Sequence, residues 1–111
     1  MSELSKKECA PCRGDVAPLA EPDCKKLLHS LDEDWQLELN STRLTRKIKT
    51  KDFKSAFDYA SKVAELSEEQ NHHPVLTIGY GFLKIEIWTH KIDALVESDF
   101  IYAAKADKIL L

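Results

Sequence analysis

Three of the chain's four histidines fall in two short words, Asn71-His72-His73-Pro74 and Trp88-Thr89-His90. Imidazole is the side chain whose unperturbed pKa, about 6.5, lets it give and take protons near neutrality, so the pattern points to acid/base chemistry. The fourth, His29, falls in a helical stretch without such company. Three converging imidazoles are also the ligand set of a hydrolytic or hydrating zinc site with one open position. Adjacent histidines on extended backbone point apart, however, which makes His72 and His73 awkward ligands to one ion, and the set is read without a metal. The plain alternative is that the pair consists of ordinary surface-loop residues.

Periodicity gives the elements that must position these words. Apolar Leu27, Leu28 and Leu31 form one side of a short helix near residues 22–31. Trp35, Leu37 and Leu39 alternate with polar neighbours, as do Leu44, Arg46 and Ile48, the period of two strands joined in a hairpin by a turn at Asn40-Ser41. From Asp52, a candidate N-cap, the step changes to three and four through Phe53, Ala56, Phe57, Ala60, Val63, Ala64 and Ser67. That helix runs to about Glu69 or Gln70, since Pro74 forbids much further continuation, and the histidine pair sits just past its end.

Val75–Ile78 and Phe82–Trp88 read as a second hairpin around Gly79-Tyr80-Gly81, and a last helix spans about 97–109 with Phe100, Ile101, Ala103 and Ala104 facing the core. The order α-β-β-α-β-β-α predicts an α+β fold, a four-stranded antiparallel sheet with three helices packed on one face. An antiparallel hairpin returns the chain to its origin, so His90 at the end of one strand can meet His72 and His73 at the start of the other. Glu68, one turn before the pair, and Asp99, in the first turn of the last helix, are placed to orient the imidazoles. Phe82 and Trp88 share the otherwise polar sheet face, and a long last strand presenting an open edge would favour self-association.

The 111 residues suit one domain, residues 21–111, behind an irregular N-terminal arm over 1–20 that contains Pro11, Gly14 and Pro18. With 43% hydrophobic and 32% charged residues the composition is that of an ordinary globular protein, without an apolar run of the ~20 residues a membrane helix needs. A net charge of −3 offers no footprint for nucleic acid. The N-terminus lacks the apolar core of a secretory signal, so the expected compartment is the cytoplasm. Cys9, Cys12 and Cys24 are odd in number, which argues against a closed disulfide framework. Cys9-Ala10-Pro11-Cys12 has redox or zinc spacing, but no strand precedes it, and only His29 or Asp23 could complete a zinc set; free thiols on an arm are the simpler reading.

Taken in order, these words resemble the pterin-4a-carbinolamine dehydratase family, in its bacterial branch. The match comprises Asp34-Trp35, Lys51-Asp52-Phe53, Glu68-Glu69-Gln70-Asn71-His72-His73-Pro74, Tyr80, Thr89-His90 and Asp99-Phe100 before an Ala-rich helix, covering roughly residues 21–110. The resemblance implies a cofactor-free dehydratase that converts 4a-hydroxytetrahydropterin, such as 4a-hydroxytetrahydrobiopterin, to quinonoid dihydropterin and water. Such an enzyme recycles the pterin of aromatic amino acid hydroxylases, phenylalanine hydroxylase among them. Carried over by position, His72 and His90 become the proton-transfer groups and His73 a substrate-binding residue, with Glu68, Pro74, Thr89 and Asp99 completing the binding set. The oligomer expected from the sheet face and open edge would be a homodimer or homotetramer, an order the sequence leaves open.

Two departures stand out. Leu76 occupies the place where animal members have tryptophan, which bears on pterin selectivity, and Val96 replaces the usual Ser or Thr cap, leaving Glu97 or Ser98 to satisfy the free amides of the last helix. Two rival functions share the resemblance. One is a non-catalytic dimerisation cofactor of a transcription factor, as animal members also are; the other is a protein acting on molybdopterin-type precursors.

Overall fold

The computed structural model describes residues 3–7 and 16–110. Cys9, Cys12 and most of the arm lie outside the described residues. Three helices, α1 (Glu21–Leu28), α2 (Phe53–Gln70) and α3 (Glu97–Ile109), alternate with strands β1 (Trp35–Glu38), β2 (Arg43–Lys49), β3 (Val75–Gly79) and β4 (Phe82–Ile87). The expected α-β-β-α-β-β-α order is therefore present. α1 ends three residues earlier than its apolar pattern, because Ser30 and Leu31 continue it only as i→i+3 turns.

The sheet is antiparallel throughout, in the order β1-β2-β4-β3. Leu44, Leu83, Ile85 and Ile87, all fully buried, project from one face onto Val63 and Leu66 of α2, Phe100, Ile101, Ala103 and Ala104 of α3, and Cys24 of α1. The last strand is not an edge, contrary to the expectation above: β4 pairs with β2 through Leu44↔Ile87 and with β3 through Val75↔Glu86, and β1 and β3 are the edges. Nor are Phe82 and Trp88 bare on the outer face, since Lys47 covers the first ring and Arg43 the second.

Two further expectations need correction. On α2 the buried set is Ala56, Ala60, Val63, Leu66, Ser67 and Gln70, whereas Phe53 and Phe57 are half exposed and Ala64 is exposed. Steps of three and four from Ala56 keep one line against the sheet, and Phe57, about 100° around from Ala56, falls on its flank. Leu39 lies beyond β1 in the turn, where Leu39, Asn40 and Ser41 all adopt left-handed φ. In the second hairpin Gly81 uses a φ of 87°, while Gly79 is needed for space, because a Cβ there would strike the Phe82 ring.

α3 is buried on nearly every side, from Ser98 through Ala104 and at Ala106 and Asp107. Its outer side is covered by a single 3-10 turn, Glu3–Lys6, whose Leu4 joins the core and whose Ser5 carbonyl accepts from Lys105 Nζ at 3.0 Å. Near its C-terminal end, Asp107 accepts from Trp35 Nε1 (2.7 Å), Arg46 Nη1 (2.5 Å) and the Asp32 amide (2.9 Å), tying the helix to β1 and β2. Among the described residues, no helix is long and apolar enough to cross a membrane.

Candidate active site

The end of α2 is what aims the histidine pair. Asp52 caps its start by accepting the Ser55 amide at 2.8 Å, a bond that holds the Asp52 carboxyl below its usual range. At the other end Asn71 takes the left-handed conformation (φ 50°), which Asn tolerates better than most residues, and the His72 amide closes back on the Ser67 carbonyl at 3.1 Å. The chain reverses sharply there. His72 turns inward and is buried, while His73 remains exposed.

Asp99 receives the inward imidazole. His72 Nε2 lies 2.7 Å from Asp99 Oδ1, and Asp99 Oδ2 accepts from Thr89 Oγ1 (2.9 Å) and from the Val96 amide (2.8 Å). This carboxyl is fully buried, and three donors satisfy it. It also answers the capping question: Asp99 takes up the part-buried amide at the N-cap Val96, and its own amide donates to the Val96 carbonyl at 3.1 Å. An ionised carboxylate can only accept, so facing Asp99 the His72 hydrogen is assigned to Nε2. Tyr102 packs edge-on to the His72 ring, 5.9 Å between centroids, and pairs its hydroxyl with Ser67 Oγ at 2.7 Å.

His73 is oriented differently, by Glu68 Oε2 at 2.6 Å across the last turn of α2, with both side chains largely in solvent. His90 stands on the turn that follows β4, where Thr89 and Ala94 bridge in antiparallel fashion. Its ring stacks on Trp88, 4.4 Å between centroids and 4° from parallel, as the shared parity of the two positions anticipates. Asn71, His72, His73 and His90 together line one open cavity of about 190 Å³.

The three histidines expected to converge thus do so, and Asp99 and Glu68 each hold one of them. Thr89 reaches the cavity only through Asp99, and half-buried Pro74 fixes the exit of the chain into β3. Tyr80 is 78% exposed at the hairpin tip, at the far end of the strands from the histidines. Larger hollows exist, about 380 Å³ on the outer sheet face, about 440 Å³ between α2 and α3 and about 250 Å³ beside the end of α1, the last lined by His29, but none of these is lined by His72, His73 or His90. Tyr102 and Arg43 are the site neighbours that sequence reasoning missed. Tyr102 follows Asp99 by three, the spacing of one helical face, and was legible in principle; nothing local marks Arg43.

A family profile described as pterin 4 alpha carbinolamine dehydratase matches residues 17–109. The chain is 44% identical over 109 residues to a protein of Rubrobacter xylanophilus, covering 98% of this chain and 100% of that one. It is 49% identical over 104 residues to one of Rickettsia bellii, covering 94% and 91% respectively. Both bear the name "Putative pterin-4-alpha-carbinolamine dehydratase". A crystal structure from Brucella melitensis, described as a transcriptional coactivator/pterin dehydratase, shares the fold with a TM-score of 0.75 and 29% identity over 84% of this chain and 98% of that one. A profile match that runs from just before α1 to the last residue of α3 takes in every element that builds the cavity, and the chain accordingly belongs to the pterin 4 alpha carbinolamine dehydratase family.

Proposed function

We propose that the chain dehydrates 4a-hydroxytetrahydropterins, releasing water and quinonoid dihydropterin, at the histidine cavity. The observation that carries this reading is the buried His72–Asp99 pair beside His90 on one cavity wall. The reaction needs two proton transfers and no net oxidation: the 4a-hydroxyl leaves as water once protonated, and a ring nitrogen gives up its proton. Imidazoles can supply both, so no cofactor is required. His72 takes the ring-nitrogen proton through Nδ1, and Asp99 stabilises the imidazolium that forms. His90, exposed at the cavity rim, protonates the departing hydroxyl and is recharged from solvent.

His73 and Glu68 serve as the outer, substrate-holding pair, while Thr89 acts through Asp99 and Pro74 through the course of the chain into β3. A cavity of about 190 Å³ is below the roughly 300 Å³ where drug-sized pockets begin, which suits a flat bicycle whose side chain stays outside. Supply of such a substrate falls to a pterin-dependent aromatic amino acid hydroxylase. Half-exposed Phe53 and Phe57, four residues apart on α2, and the open edge of β3 with its exposed Val75 favour a homo-oligomer. The description of the Brucella protein as a coactivator lends the same helical face a second reading, as a docking surface for a protein partner. Stopped-flow mixing of the purified chain with synthetic 4a-hydroxytetrahydropterin tests the catalytic reading: accelerated loss of the carbinolamine is expected, and a rate equal to buffer alone rejects it.

A further inference from the structure

The turn that carries His90 is gripped on both flanks by one arginine. Arg43, the first residue of β2, lies beside Trp88 across the strand pair, with its guanidinium carbon 4.0 Å from the indole centroid. The same guanidinium reaches past His90 to Asp93, with Nη2 2.6 Å from Oδ1, and its Nη1 donates to the Thr42 carbonyl at 3.1 Å. Asp93 itself sits in the left-handed region (φ 53°), where the turn folds back so that its amide meets the His90 carbonyl at 3.3 Å. Trp88, two residues before His90, and Asp93, three residues after it, are thereby tied to β2, and the imidazole lies flat on the ring that Arg43 holds.

Among the described residues, the stacking on Trp88 is the ring contact of this imidazole. His72 has a buried carboxylate and His73 has Glu68, whereas His90 is exposed at the rim and makes its clear ring contact with Trp88. We infer that Arg43 and Trp88 are positioning residues for His90. The inference rests on the dehydratase reading of the cavity. Arg43 is suited to the task because a planar guanidinium can lie on an aromatic face and still direct its edge to a carboxylate, which an ammonium cannot do in one fixed geometry. The Arg43 side chain is 15% exposed, which shields its contact with the indole, whereas Asp93 is 78% exposed and its ion pair is open to water and salt.

The test uses the full chain carrying Trp88→Leu, Trp88→Phe or Arg43→Met, with two readouts. Steady-state dehydration gives kcat and KM separately, and the ring protons of His90, assigned by their loss in His90→Gln, report stacking through the upfield shift an indole face imposes. For Trp88→Leu and Arg43→Met, kcat should fall roughly tenfold with KM within about twofold, because misplacing a proton-transfer group by a fraction of an ångström costs rate and not binding. The His90 signals should move downfield in both, and Trp88→Phe, which keeps a ring to stack on, should retain most of kcat. Wild-type kcat in both variants, or a raised KM at unchanged kcat, overturns the inference. Should Trp88→Leu fail to fold, Arg43→Met decides alone. Should the wild-type chain show no dehydration, the catalytic reading fails, and an unmoved His90 signal in Arg43→Met separately overturns the positioning role.

Discussion

Asp99 does two jobs with one carboxyl: it holds His72 Nε2 at 2.7 Å and caps α3 by accepting the Val96 amide at 2.8 Å. Site geometry and helix start are therefore coupled. Asp99→Asn keeps the shape but turns one acceptor oxygen into an NH2 that must face an existing donor. The dehydration rate should fall about 100-fold and stability by roughly 2 kcal/mol, read by single-turnover kinetics and urea unfolding. A rate within twofold of wild type would remove Asp99 from the proton path.

The outer pair should behave otherwise. His73 and Glu68 are largely solvated, with 53% and 79% of their side chains exposed, so their 2.6 Å contact adds little to stability. Glu68→Gln should raise KM a few-fold with kcat nearly unchanged and stability within about 0.5 kcal/mol. Steady-state kinetics and thermal unfolding on the same sample check both halves.

Much of this was legible in the sequence because its signals are local. The period-two and period-three-or-four patterns placed each element within a few residues, and Pro74 after a long amphipathic run located the reversal that presents His72 and His73. What was not legible depends on partners distant in the chain. Phe53 and Phe57 belong to the apolar pattern of α2 but miss the sheet, since the tilt of the helix decides which flank is buried. The placement of β4 inside the sheet depends on its pairing with β2, more than thirty residues earlier. Arg43 likewise meets Trp88 only through that pairing.

The Asp107 network supplies a structural control. Asp107→Ala would remove the acceptor of the Trp35 indole N–H and leave the Arg46 guanidinium its longer contact with Asp32, 3.8 Å from Nη2, in largely buried surroundings. Removing one partner of a buried pair costs about 3 kcal/mol or more, seen as a lower urea midpoint. Asp107 is eight residues along α3 from Asp99, about 12 Å by helical rise, so kcat of the folded fraction should be unchanged.

Two groups set expectations for pH. Burial pushes the Cys24 thiol above its ordinary 9.0, with Asp23, Asp99 and Glu21 adding to the effect. The folded state then keeps a proton that the unfolded chain loses, so the stabilising contribution is complete below about pH 9 and declines as pH rises toward the folded value. Asp52 has the opposite sign: its lowered carboxyl stabilises above the ordinary 3.8 and loses that contribution as pH falls through the folded value. Urea unfolding across pH, with Cys24→Ala and Asp52→Ala as references, should show the alkaline decline flattened in the first and the acid decline reduced in the second.

The central claim is that His72 and His90 move the protons of dehydration. Stopped-flow decay of 4a-hydroxytetrahydropterin should be accelerated by the wild-type chain and slowed by at least about 100-fold in both His72→Ala and His90→Ala, with both variants folded by circular dichroism. Rates near wild type in either variant would contradict the account.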